Sequence, residues 1–224
     1  MRETAIVIVS YRTGDTLAQC LDAAHADAPE ATIYLVDHAS RLVALDALLK
    51  PRLWVRPLAT HENPGFGAGA NRGIEQAFAS GFARVLLLND DVFLRPGCVQ
   101  ALKAAVGADG AASPWLAGEG DARYRGGAID WERGYAGHRD GATDYLIGGC
   151  MMISRAAWDR TGPFDETFFL YCEDVDWCLR ARAAAVPLAV VPEELADHVG
   201  GVATAQGQAW AYWWSRSRIK LLRK

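Results

Sequence analysis

The chain has 224 residues, 51% of them apolar, and a net charge of -4. That length and apolar content suit one substantial core, and the acidic balance excludes a protein that grips nucleic acid through a generally basic surface. No apolar run approaches the ~18 to 20 residues of a membrane-crossing helix, and the start MRETAIVIVS enters a strand-like run without a signal-peptide core, so a cytoplasmic protein is expected.

Apolar runs alternate with helix-like segments along the first half. Residues 5–10 read as a strand, 16–26 as a helix, 32–36 as a strand and 42–49 as a short helix. A strand near 53–56, a helix over 68–80, a very apolar strand over 84–88 and a helix over 96–106 continue the rhythm. This pattern predicts an α/β fold: a mostly parallel central sheet, buried on both faces and flanked by helices, in a single domain. From 109 to 144 the pattern dissolves into glycine, charge and isolated aromatics, and a substrate-facing, irregular elaboration is expected there. Apolar periodicity returns over 145–154, with a helix over 173–184 and a strand over 188–191. Residues 1–108 are read as the nucleotide-binding half and 109–224 as the acceptor-side half.

Five cysteines, Cys20, Cys98, Cys150, Cys172 and Cys178, form no CxxC pair and are odd in number. Buried free thiols are therefore expected rather than a disulfide framework or structural zinc. The histidines make no HExxH cluster, so a bound metal would be held mainly by carboxylates, which suits Mg²⁺ or Mn²⁺.

Asn89-Asp90-Asp91 follows Val85-Leu-Leu-Leu88, and the carboxyl end of a parallel strand is where open α/β sheets bind ligands. Adjacent acids there can hold a divalent cation that bridges a diphosphate, or can simply cap the turn. Glu173-Asp174-Val175-Asp176 follows the aromatic run Phe168-Phe169-Leu170-Tyr171. One of these carboxylates could take the proton of an attacking hydroxyl, while acids in a helix's first turn are also favoured by capping and the dipole. Gly65, Gly67 and Gly69 come after the polar His61-Glu62-Asn63-Pro64 rather than directly off a first strand. They read as glycines of close approach at a helix start, not as a dinucleotide fingerprint, with Asn71 and Arg72 facing ligand or solvent. Asp37 ends a strand, where it could bind a base or ribose or cap the turn. His198 could complete a carboxylate-rich metal site. The tail Trp213-Trp214-Ser-Arg-Ser-Arg218 offers indoles for a sugar and cations for a diphosphate, or forms a basic surface helix that contacts an anionic membrane.

Taken together, these residues resemble the family 2 inverting glycosyltransferases, particularly the rhamnosyltransferase-like members that build bacterial surface polysaccharides. The resemblance runs through Ile8-Val-Ser-Tyr11, Val36-Asp-His-Ala-Ser40, Asn63-Pro-Gly-Phe-Gly67 to Asn71-Arg-Gly73, Leu87-Leu-Asn-Asp-Asp91, Gly148-Gly149, Gly162-Pro-Phe-Asp165, Phe169-Leu-Tyr-Cys-Glu-Asp-Val-Asp176, and His198 before paired glycines. It implies the GT-A variety of α/β fold, with Ser10, Tyr11, Asp37, Gly67, Asn71, Arg72, Asn89 and Asp90 binding the nucleotide-sugar donor. It further implies Asp91 as metal ligand with His198 beside the metal or diphosphate, Asp174 as base supported by Glu173, and a glycan or lipid-linked acceptor at the inner face of the membrane. The chain departs from the family pattern at His38, usually Asn, at Cys172, usually Gly, and at Asn89, which replaces the first acid of a strict DxD. Two other readings compete. A sugar-1-phosphate nucleotidyltransferase should carry a glycine-rich basic loop where this chain has Ser10-Tyr-Arg-Thr-Gly14; a sugar-nucleotide-binding scaffold without turnover has no chemical need of Asp174.

Overall fold

The computed structural model describes residues 2–12, 15–38, 42–58, 60, 62–118, 120, 122–133, 135–138, 143–200 and 208–224. The first elements are β1 (Arg2–Tyr11), α1 (Asp15–Asp27), β2 (Thr32–His38), α2 (Leu42–Leu49) and β3 (Val55–Pro57). They continue with α3 (Phe66–Ala79), β4 (Phe82–Asn89), β5 (Val92–Leu94) and α4 (Cys98–Val106). The second half adds β6 (Ala111–Ala117), β7 (Arg123–Tyr124), β8 (Gly127–Asp130), β9 (Tyr135–His138), β10 (Cys150–Ser154), α5 (Arg155–Thr161), α6 (Glu173–Ala183), β11 (Leu188–His198) and α7 (Gln208–Leu221).

The main sheet runs β3-β2-β1-β4-β10-β6-β11-β5, with β7 paired to β6. Its first four strands are parallel, with Ser10 beside Asp37 and Val9 beside Asn89, so β1, β2 and β4 all end at one edge. β10 then enters antiparallel to both β4 and β6, so the expected parallel order holds for the first half and gives way to mixed pairing in the second. Alternate residues of β1 feed opposite cores. Ala5, Val7 and Val9 pack with α3, α5 and α6, whereas Ile6 and Ile8 pack with α1 and α4. Both faces are covered, which is why these strands read as unbroken apolar runs. α3 lies hard against the sheet because a Cβ at Gly73 would overlap Val7 and Val36.

Among the described residues, the stretch expected to be irregular contains four strands, two of them, β6 and β7, in the main sheet. Pro114 hid β6, since proline cannot donate to a ladder. β6 accommodates it because β10 pairs only with Ala111 and Ala112, leaving Pro114 opposite Val191 of β11 alone. β11 likewise continues past the expected end at Val191 to His198, with register shifts between Val191 and Glu194 and between Glu194 and Ala196. All five cysteines are buried and free. Among the described residues no helix is long and apolar enough to cross a membrane.

Candidate active site

Ser10, Tyr11, Asn89, Asp90, Asp91, Glu173, Asp174 and His198, drawn from four separate stretches of chain, line one cavity of about 530 Å³ at the carboxyl edge of β1, β2 and β4. Parallel register sets its floor. Because Val9 pairs with Asn89, the next residues along face one another, and Ser10 Oγ donates to Asp90 Oδ2 at 2.7 Å. Burial pushes the Asp90 carboxyl up to about 6; the Ser10 hydroxyl opposes this and Asp91 adds to it. Asn89 is fixed by its own N–H on Gly149 O (3.0 Å) and by the Cys20 thiol on its carbonyl (3.3 Å). A side chain at Gly149 would crowd the Asn89 amide, its Cβ standing 3.2 Å from Nδ2.

Asp91 and His198 meet across 107 positions of sequence. Val199 N–H donates to Asp91 O at 3.1 Å, and Arg95 clamps Asp197 with Nε at 3.0 Å and Nη2 at 2.5 Å, so the end of β11 is held against β5. His198 Nε2 then lies 3.3 Å from Asp91 Oδ1, and among the described residues neither buried atom has a hydrogen bond. Unpaired buried polar atoms are costly, and two such atoms ~3 Å apart match the spacing of neighbouring ligands around a six-coordinate cation with bonds of ~2.1 Å. This pair fits a divalent metal. No group of three metal-binding side chains occurs among the described residues; a hard cation that keeps water and substrate oxygens needs only one or two protein ligands.

The start of α6 forms another part of the lining. Tyr171 and Cys172 both adopt left-handed backbone, at φ 68 and 66, immediately before Glu173. Such a position favours glycine, which accounts for the glycine that the family pattern carries where this chain has Cys172. Burial pushes the Cys172 thiol up to about 12, with Asp174 and Glu173 adding to it, so it is not a thiolate at neutral pH. Asp174 is anchored by N–H groups of Gly148 on Oδ2 (3.0 Å) and Val175 on Oδ1 (2.8 Å). Gly148 is needed for that approach, because a Cβ there would stand 2.8 Å from Asp174 Cβ. Glu173 is only 6% exposed, and its Oε2 has no hydrogen-bond partner among the described residues. Burial first, and Asp174 second, raise its carboxyl well above the usual carboxylate range. One carboxylate is thus oriented and the other is kept protonated beside it.

Four expected donor ligands stand apart from the lining. Asp37 is buried at the end of β2, while its neighbour His38 reaches the cavity with Nδ1 2.6 Å from Thr60 Oγ1; burial lowers the His38 pKa and keeps the ring neutral. Gly67 packs α3 against Phe164 and Glu173. Asn71 is buried and turned away: Nδ2 donates to Phe164 O (3.0 Å) and Glu166 Oε1 (2.9 Å), and Oδ1 accepts from Phe164 N–H (2.9 Å). Arg72 is exposed. Conversely, the sequence reading did not single out Tyr124, Tyr145 or Tyr171 for the lining. Tyr124 and Tyr145 are isolated and carry no spacing signal, whereas Tyr171 stands in the aromatic run before the acids, which was the signal that could have placed it.

Known proteins resemble this chain in sequence and in fold. N-acetylglucosaminyl-diphospho-decaprenol L-rhamnosyltransferase of Mycobacterium tuberculosis (strain H37Rv) is 28% identical over 207 residues, covering 76% of this chain and 67% of that protein. Rhamnosyltransferase WbbL of Escherichia coli (strain K12) is 38% identical over 61 residues, 27% of this chain and 23% of that one. GalNAc-T7, solved with UDP, GalNAc and Mn²⁺, superposes with TM-score 0.72 at 17% identity, covering 89% of this chain and 44% of its own. S. aureus TarS 1-349 in complex with UDP-GlcNAc gives TM-score 0.72 at 14% identity over 99% of this chain and 65% of its own. The chain therefore spans about two thirds of the mycobacterial relative and less than two thirds of either solved chain, and the fold it shares with them is GT-A. Residues 2–218 match the profile described as Glycosyltransferase like family 2, and the chain belongs to that family.

Proposed function

We propose that the chain is an inverting, divalent-cation-dependent glycosyltransferase that moves a sugar from a nucleotide diphosphate donor to a hydroxyl of a glycan or lipid-linked acceptor in bacterial surface polysaccharide synthesis. The observation that carries this reading is the presence, in one cavity, of the Asp91 and His198 atoms that lack a hydrogen bond among the described residues together with the anchored Asp174 carboxylate. The rhamnosyltransferase relatives make dTDP-rhamnose the first donor to test, and the UDP-bound structural neighbours make a UDP-sugar the second.

Asp91 and His198 would hold Mg²⁺ or Mn²⁺, which when bound offsets the charge that gathers on a departing diphosphate. Ser10, Tyr11 and Asn89 form the floor on which the nucleotide would lie, with Asp90 tied to Ser10 and so kept in place. Asp174, aimed by Gly148 N–H, would accept the proton of the acceptor hydroxyl as it attacks the anomeric carbon from the face opposite the leaving group. Glu173, kept neutral by burial and by Asp174, adds no second negative charge against the departing diphosphate. The aromatic rim of Tyr124, Tyr145, Tyr171 and Trp214 suits the faces of sugar rings. With α7 and the three residues after it carrying Arg216, Arg218, Lys220, Arg223 and Lys224 and no acid, the proposed place of action is the cytoplasmic face of an anionic membrane.

Calorimetric titration with UDP and dTDP, each with and without Mn²⁺, tests the reading on wild type and Asp91→Ala. Metal-dependent binding of one nucleotide, lost in the variant, is expected. Absence of binding under every condition would favour the turnover-free scaffold.

A further inference from the structure

Two successive non-glycine residues in left-handed backbone, Tyr171 and Cys172, cost on the order of 1 to 3 kcal/mol each and persist only where surrounding contacts over-determine them. Contacts on the segment leading into that turn come from α7 and the residues just after it. Ser217, fully buried, donates Oγ to Leu170 O at 2.7 Å. Trp213 stacks on Phe169 with centroids 4.3 Å apart, and Trp214 meets Tyr171 edge-on at 5.9 Å. Lys220 and Lys224 place their ammonium groups over the Phe168 ring at 4.5 and 5.2 Å. Lys224 Nζ also bridges Asp165 Oδ2 and Asp176 Oδ1, each at 2.6 Å, and so ties both ends of the segment together. Each residue from Phe168 to Tyr171 is thus touched by α7, directly before the carboxylates of the cavity wall.

We infer that α7 is a strap that holds the strained Tyr171–Cys172 turn and thereby sets where Glu173 and Asp174 stand, with Ser217 as the positioning residue at its centre. The catalytic consequence rests on the glycosyltransferase reading; the mechanical claim does not. A buried serine with its one observed hydrogen bond on the carbonyl just before the left-handed pair has no other assignment in the cavity. If its role is to hold strain, relieving the Cys172 share of that strain lessens the need for it. A glycine at 172 takes φ near +66 without steric cost.

The test is a two-by-two set: wild type, Ser217→Ala, Cys172→Gly and the double variant. Two readouts are taken, amide hydrogen exchange over residues 166–178 and release of dTDP from dTDP-rhamnose or of UDP from UDP-GlcNAc. Ser217→Ala is expected to speed exchange in that segment about 10-fold and to lower kcat about 10-fold with donor KM held, the effect of one lost hydrogen bond. In the Cys172→Gly background both effects should shrink below about 3-fold, since strain and strap are coupled. Equal losses in both backgrounds, no loss in either, or faster exchange across every element would overturn the inference. A wild type that releases no nucleotide but keeps the local exchange pattern would sink the donor assignment and support the strap.

Discussion

Replacing Asn71 with alanine separates a ligand-binding residue from a structural clamp. Its amide carries three hydrogen bonds of 2.9 to 3.0 Å, two of them to the backbone of Phe164, which is 2% exposed. Alanine would leave one buried N–H and one buried C=O without partners, at ~1 to 3 kcal/mol each. The third bond goes to the exposed Glu166 and adds little. A loss of ~3 kcal/mol is expected, which for a chain of this length lowers Tm by roughly 6 to 12 °C. Asn71→Asp should cost more, because a carboxylate would then face Phe164 O and the Glu166 carboxylate where an NH₂ now donates. The assays are urea and thermal unfolding beside calorimetric titration with UDP and dTDP in Mn²⁺, at a temperature where the variant is folded. The reasoning is refuted if Asn71→Ala unfolds within ~1 kcal/mol of wild type yet loses tenfold in nucleotide affinity, since that is the behaviour of a donor ligand.

Glu173 gives a pH signature. Its folded pKa is raised, so the native state keeps a proton that the unfolded state releases, and stability falls as pH rises from the ordinary carboxylate range through the folded value. Glu173→Gln removes that slope. Its urea midpoint should gain on wild type between roughly pH 5 and pH 9, whereas a pH-independent difference would show that burial does not hold the proton. Along α7 and just past its end, a groove is lined by Tyr212, Arg216, Ile219 and Arg223 among others. Arg216→Gln combined with Arg223→Gln should weaken co-sedimentation with phosphatidylglycerol vesicles about 30-fold, at ~1 kcal/mol per cation. Equal sedimentation of variant and wild type would remove the membrane from the proposal.

Much of the fold was legible because burial on two faces writes itself into composition. The runs at Ala5–Val9 and Val85–Leu88 read as interior strands and are buried, and the acids that follow the second run line the cavity, Asp91 beside His198 and Asp90 tied to Ser10. β6 was not legible, since Pro114 is tolerated there only because β10 stops short of it. Nor was the course of β11 beyond Val191, where Pro192 and two glutamates interrupt the apolar pattern at a pair of register shifts.

By itself the sequence determined the elements whose periodicity and apolar content allow one conformation, and the residue types able to do chemistry at strand and helix ends. Tertiary structure alone decided which of those residues share a cavity. Ser10 reaches Asp90, Asp91 meets His198 and Gly148 anchors Asp174 through contacts spanning 26 to 107 positions. Asn71, similar in kind and spacing to a ligand, is turned inward to satisfy the backbone of Phe164. The physical reason is that side-chain chemistry is local, whereas orientation depends on which buried polar groups elsewhere in the chain need a partner.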